Sequence, residues 1–238
     1  IVPSAILETL SHQNFGDMRY GHDPNFRFWM ARSIYKTLLR YVTSHHGKGY
    51  VVAPLAPDHF GCEFTNKKGE VQLSWQGLVD GQERTSAPSG YVLYIAQDGG
   101  GFDNGTMLRG TSCNVKLKPG VLYSFQVRAV NEGGVSFPTE VLSALYSPQA
   151  RRTALIVNGF HRLSSPAISK NGQGFDIGED IGVSYGRTTG WLGRQIVFDP
   201  SRIGLEDSTA LGFSSSELAG HFIAGNDFNY VRTHAEAI

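Results

Sequence analysis

The sequence predicts a multi-domain chain: a central all-β sandwich, with a strand-and-helix piece before it and an α/β piece after it. Three observations lead there. Between residues 50 and 148 apolar residues mostly alternate with polar ones, in short segments divided by Gly, Pro, Asp and Asn clusters. That is the pattern of antiparallel strands with one buried face. Ahead of that stretch the apolar spacing lengthens to that of a helix burying one side. Behind it come a continuous apolar run, a Gly-rich stretch and an amphipathic end, an order that suits an α/β fold. The divisions fall at residues 1–49, 50–148 and 149–238.

Composition narrows the function classes. Lys plus Arg equals Asp plus Glu at 21 each, so no net field draws the chain to nucleic acid or an anionic membrane. Nor do basic residues cluster with aromatics as in a nucleic-acid site. The 29 glycines and 10 prolines suit loop-rich β structure better than a helical bundle. No apolar run reaches the roughly 18 residues that mark a membrane span. The opening IVPSAILETL has no basic leader and carries Glu8, so it does not read as a signal peptide. It and the closing VRTHAEAI, which has no stop signal, read as cut from a longer chain. Oligomeric state is left open.

In the first piece, Ile1 to Leu7 is an apolar run suited to a buried strand, and SHQNFGDMRYGHD a polar loop. Asp23-Pro24 opens a helix, with Asp as N-cap and Pro at the first helical position. Phe26, Met30, Ile34, Leu38 and Tyr41 mark its buried face. Lys36 and Arg40, late in the helix, complement its dipole, and HHGKG ends it.

In the middle piece the predicted strands are HFGCEF, EVQLSWQ, GYVLYIAQ, SCNVKL, VLYSFQVRAVN and VSFPTEVLSALY. Cys62 and Cys113 each fall in one of them, as small buried hydrophobes, with a disulfide between them left open. Trp75 in LSW, Tyr94 in YVLYIA, the run Leu117-Lys-Pro-Gly-Val-Leu-Tyr123, and Asn131 before Glu132-Gly133-Gly134 and Ser136 carry a resemblance to the fibronectin type III family. The resemblance implies an immunoglobulin-like sandwich with Trp75 in the core. It also implies a tyrosine corner, in which Leu117 plugs the core and the Tyr123 hydroxyl bonds backbone upstream.

The third piece opens on ALIVNGF, which suits a strand buried on both faces. A helix is expected at GFSSSELAGHF, where Ser214 and Glu217 have capping-box spacing, and a last amphipathic stretch near Asp227. ALIVNGFHR with AGNDFNYVRTHAEAI resembles the start of the flavodoxin-like, glutamine-amidotransferase-like domain of bacterial proteins labelled xanthan lyases. That family's nucleophile is a Cys, and residues 149–238 contain none.

Among candidate site residues Glu8 is the sharpest. VPSAILETLSHQNFGDM followed by MARSIYKTLL resembles the last strand and helix of zinc-dependent N-acetylmuramoyl-L-alanine amidases, with Leu10-Ser11 in place of the family's Gly-Phe. The resemblance implies that Glu8 lies beside the metal, taking a proton from water and passing it to the leaving amine. It also implies that zinc is the cofactor of an intact domain whose His, His and Glu ligands precede Ile1, so that residues 1–238 alone bind none and are inactive. The plainer alternative is a solvated Glu at a strand end. His12, His22, His45 and His46 lack the spacing of helical ligand pairs. Ser214, Ser215 and Ser216 do not complete GxSxG and suit a helix cap. Asp176, Glu179 and Asp180 read as a solvated turn.

Trp191, with Phe160, Tyr185 and Phe198, is a candidate platform for stacking a sugar, against the commoner fate of core packing. The functional expectation is a secreted, periplasmic or cell-surface protein that processes cell wall or glycan, with peptidoglycan or polysaccharide as partner. A noncatalytic scaffold and a carbohydrate-binding protein are the alternatives.

Overall fold

The computed structural model describes residues 4–11, 14–157, 190–192, 195–197, 213–215, 221–223 and 230–237. They divide between two compact units, parted within a long helix between Tyr35 and Lys36.

The sandwich belongs to the second unit. One sheet contains β1 (Asp58–Phe64), β2 (Glu70–Gln76) and β5 (Ser112–Lys116), in the order β1-β2-β5. The other contains β3 (Gly90–Gln97), β4 (Thr106–Leu108), β6 (Leu122–Asn131), β7 (Gly134–Val135) and β8 (Leu142–Leu145). In it β4 pairs with β3 and β3 with β6, and both β7 and β8 pair with β6. Every pairing is antiparallel. The predicted last strand, VSFPTEVLSALY, is therefore two strands. Pro138 between them has no N–H, and two hydroxyls stand in for ladder groups. Ala129 N–H donates to Ser136 Oγ at 2.9 Å and Val127 N–H to Thr139 Oγ1 at 3.0 Å.

Period-two patterning fills the core. Val71, Leu73 and Trp75 from β2 meet Tyr91 and Leu93 from β3 and Tyr123, Phe125, Val127 and Ala129 from β6. Each large apolar side chain so buried contributes about 1.5–3 kcal/mol by transfer alone. Trp75 meets Tyr91 edge to face, with ring centroids 5.6 Å apart. The tyrosine corner is formed: Leu117 is buried, Gly120 turns the chain at φ 73°, and Lys118 N–H donates to the Tyr123 hydroxyl at 3.4 Å.

The flanks depart more from expectation. Residues 4–10 have no regular structure, and Ile6 and Leu7 are 92% and 64% exposed, so the described part of the expected first strand is not a strand. The expected polar loop instead contains helix α1 (Phe15–His22), because Asn14 caps it by accepting from Gly16 N–H and Asp17 N–H. Helix α2 spans Pro24–His45, and Asp23 accepts from Asn25 N–H at 2.9 Å as its cap. It stops at Gly47, whose φ of 61° permits the Lys48 N–H to reach the Thr43 carbonyl at 3.0 Å.

Beyond the sandwich, Ala154–Val157 forms no strand, with Leu155 and Val157 exposed; the rest of ALIVNGF lies outside the described residues. Strands β9 (Gly190–Leu192) and β12 (His221–Ile223) pair antiparallel, as do β10 (Gln195–Val197) and β11 (Phe213–Ser215). The helix expected at GFSSSELAGHF is thus extended at both its ends. Phe and Ser are weak helix formers, and 213–215 satisfies its backbone against 195–197 instead. The final amphipathic stretch is helix α3 (Tyr230–Ala237), which adjoins β8 and β6 of the sandwich.

Candidate functional site

The most developed polar site joins the last turns of α2 to the loop between β2 and β3. Lys36 Nζ lies 3.1 Å from Asp80 Oδ2, with both side chains almost wholly buried. One turn on, Arg40 Nη2 donates to Glu83 Oε2 at 2.9 Å, while its Nε donates to the Tyr50 hydroxyl at 2.9 Å. Glu83 is also reached by Thr85, whose hydroxyl donates to Oε1 at 2.8 Å and itself accepts from Val52 N–H at 3.1 Å. Asn131 completes the network. Its amide donates to the carbonyls of Val52 at 2.9 Å, Thr85 at 3.1 Å and Ala87 at 3.3 Å. Gly133 must be glycine, because a Cβ there would collide with the Val51 carbonyl.

Burial of Glu83 pushes its carboxyl up, but the Thr85 hydroxyl, the Arg40 guanidinium and the Thr85 N–H together outweigh it and hold the group below its ordinary range. The hydrogen bond to Glu83, and after it the one to Tyr50, raise the Arg40 guanidinium. The network fixes the direction of a helix where it meets the sandwich. Lys36 and Arg40, expected to serve the helix dipole, serve this junction. The face of α2 is corrected with them: Arg32 and Lys36 are buried, whereas Leu38 and Tyr41 are 59% and 48% exposed.

Glu8 lies in the irregular segment 4–10 and is exposed. Trp191 lies in β9, opposite Phe222 of β12 in the ladder. Ser214 and Ser215 sit in β11, not at a helix cap. Asp176, Glu179 and Asp180, like His12, Phe160, Tyr185 and Phe198, lie outside the described residues. Among the described residues no three His, Cys, Asp or Glu side chains are grouped to hold a metal ion. No helix among them is long and apolar enough to cross a membrane.

The two thiols are settled by register. Cys62 on β1 and Cys113 on β5 both stand opposite Leu73 of the strand between them. Two strand spacings amount to about 9–10 Å, beyond the reach of a disulfide. Both are free, and burial pushes the Cys62 thiol up to about 12 and raises Cys113.

The sheets, the corner and the core agree with a known family. Residues 55–144 match the fibronectin type III domain. Segments of one chain flank this fibronectin type III domain on both sides. Among solved structures, the myokine structure is 18% identical, the match covering 40% of this chain and 99% of that one at a TM-score of 0.33. The titin kinase and its flanking domains are 22% identical, over 38% of this chain and 16% of that one, at 0.33. The twitchin kinase region from C. elegans is 20% identical, over 60% and 27%, at 0.36. No curated protein matches the chain.

Proposed function

We propose that this chain belongs to an exported cell-wall or glycan-processing protein in which the fibronectin type III domain is a noncatalytic spacer. The segment before it is the edge of an N-acetylmuramoyl-L-alanine amidase-like hydrolase acting on peptidoglycan or a related polysaccharide. The observation that supports the spacer role is the buried Lys36–Asp80 pair, which ties the later turns of α2, the second helix after Glu8, to the domain.

Glu8 is the residue that would move protons, from the attacking water to the departing amine nitrogen. Zinc is the metal that the amidase resemblance implies. The described residues do not by themselves fit a zinc site. The test is an assay of the longest natural chain containing these residues on a muropeptide, counting released amine termini. Glu8→Gln lowers turnover about 10²–10⁴-fold, and residues 1–238 alone release none. Turnover indifferent to Glu8→Gln would leave the noncatalytic scaffold as the reading. Carbohydrate binding through Trp191 is a second reading, favoured by its register opposite the aromatic Phe222. Glycan-array binding lost in Trp191→Ala supports it, and an array without binding removes it.

A further inference from the structure

An asparagine amide is most open to attack by its own backbone when glycine follows, because glycine has no Cβ to shield the next nitrogen. Among the described residues Asn104-Gly105 is the one such pair; the other asparagines there precede Phe15, Phe26, Lys67, Val115 and Glu132. The fold makes the pair compulsory. Gly105 has a φ of 81°, and a Cβ on it would collide with the Val92 and Tyr94 side chains. Asn104 itself is exposed, in the loop that leads from β3 into β4.

One contact opposes the attack. Gly105 N–H donates to Asp103 Oδ1 at 3.0 Å, and the same oxygen accepts from Ile95 N–H at 3.1 Å. Asp103 N–H in turn donates to the Ile95 carbonyl at 2.9 Å, so the carboxylate is fixed in place. The attack needs the Gly105 nitrogen without its proton, and a carboxylate beside that nitrogen disfavours the negative charge that results. We propose that Asn104 is a site of self-deamidation, braked by Asp103, whose isoaspartyl product releases β4 from the sheet. The deprotonated Gly105 nitrogen bonds to the Asn104 side-chain carbonyl carbon. The bond from that carbon to Nδ2 breaks, and the nitrogen takes up a proton and leaves as ammonia. Water then opens the cyclic imide at either carbonyl, giving an aspartyl or an isoaspartyl link and a new carboxylate. The isoaspartyl link lengthens the main chain by one carbon, which moves Gly105 from its seat against Val92 and Tyr94. Strand β4 has three residues and pairs with β3 alone among the described strands, so no second partner holds it.

The experiment holds the whole chain in mildly alkaline buffer and digests samples over time. Mass spectrometry then counts conversion at each asparagine and separates aspartyl from isoaspartyl peptides. Conversion at Asn104 outruns that at Asn114 and Asn131, and is absent in Asn104→Gln. Asp103→Asn keeps an oxygen for the Ile95 N–H but removes the charge, and conversion at Asn104 rises. Hydrogen exchange over residues 106–108 is about ten-fold or more faster in the isoaspartyl fraction than in fresh chain, while the amides of Phe125 and Val127 stay protected. Asn104→Asp carries the new charge without the longer main chain, and keeps β4 protected. Conversion at Asn104 no faster than at Asn114 would overturn the site. Conversion unchanged or slower in Asp103→Asn would overturn the brake. The release of β4 is overturned if its amides exchange freely in fresh chain, stay protected in the isoaspartyl fraction, or lose protection equally in Asn104→Asp.

Discussion

Tyr123 shows how much one hydroxyl does. Its ring fills the core beside Phe125, at 6.2 Å between centroids, and its oxygen takes the Lys118 N–H at the turn. Tyr123→Phe keeps the ring and loses the bond, so denaturant unfolding should show a loss of about 0.5–1.5 kcal/mol. The thiols give a second residue-scale prediction. Cys62 ionises near 12 when folded and near its ordinary value when unfolded, so above about pH 9 the unfolded chain holds fewer protons. Stability is fully present below that value and falls as pH rises toward 12. At neutral pH both thiols should react slowly with a disulfide reagent in the native chain and promptly in denaturant; fast native labelling would contradict their burial. Glu83 has the opposite sign. Its folded carboxyl is depressed, so its contribution is complete above the ordinary carboxylate value of about 4.3 and is lost as pH falls below it. The stability difference between wild type and Glu83→Gln should therefore shrink on acidification.

At the scale of elements, the junction between α2 and the sandwich is a test of what a buried ion pair does. Lys36→Met takes one charged partner from the buried Asp80 carboxylate, and chemical denaturation should register a loss of about 1.5–3 kcal/mol. Adding Asp80→Leu removes the carboxylate that Lys36 served, so the double variant should recover part of that loss. A double variant no better than the single one would mean that Lys36 acts through packing of its stem. Amphipathic spacing picked Leu38 and Tyr41 as buried in α2, and they are exposed. Spacing registers where apolar residues recur. It does not register that Asp80 and Glu83, more than forty positions later, present carboxylates to Lys36 and Arg40.

For the molecule as a whole, stability is distributed unevenly. Hydrogen exchange should be slowest at Val71, Leu73, Phe125 and Val127, all fully buried in central strands, and fastest across residues 4–10, which have no regular structure. Equal rates in the two sets would mean that the sandwich does not fold as a cooperative core.

The sandwich was legible because its signals are local and repeated: period-two alternation, Pro119-Gly120 at a turn, and a Tyr a few residues after a buried Leu. Each strand declares its own inward face, so β2, β3 and β6 follow from their residues. Three things were decided only by the tertiary structure. The three-residue β4 carries too short a pattern to announce itself. Cys62 and Cys113 are kept apart because β2 lies between their strands, a fact of sheet order rather than of either strand. The faces that α2 and α3 bury depend on ion pairs and on strands contributed by residues distant in the chain. Alternation within a strand is a property of its own backbone, whereas a partner for a charge or a helix is a property of the whole fold.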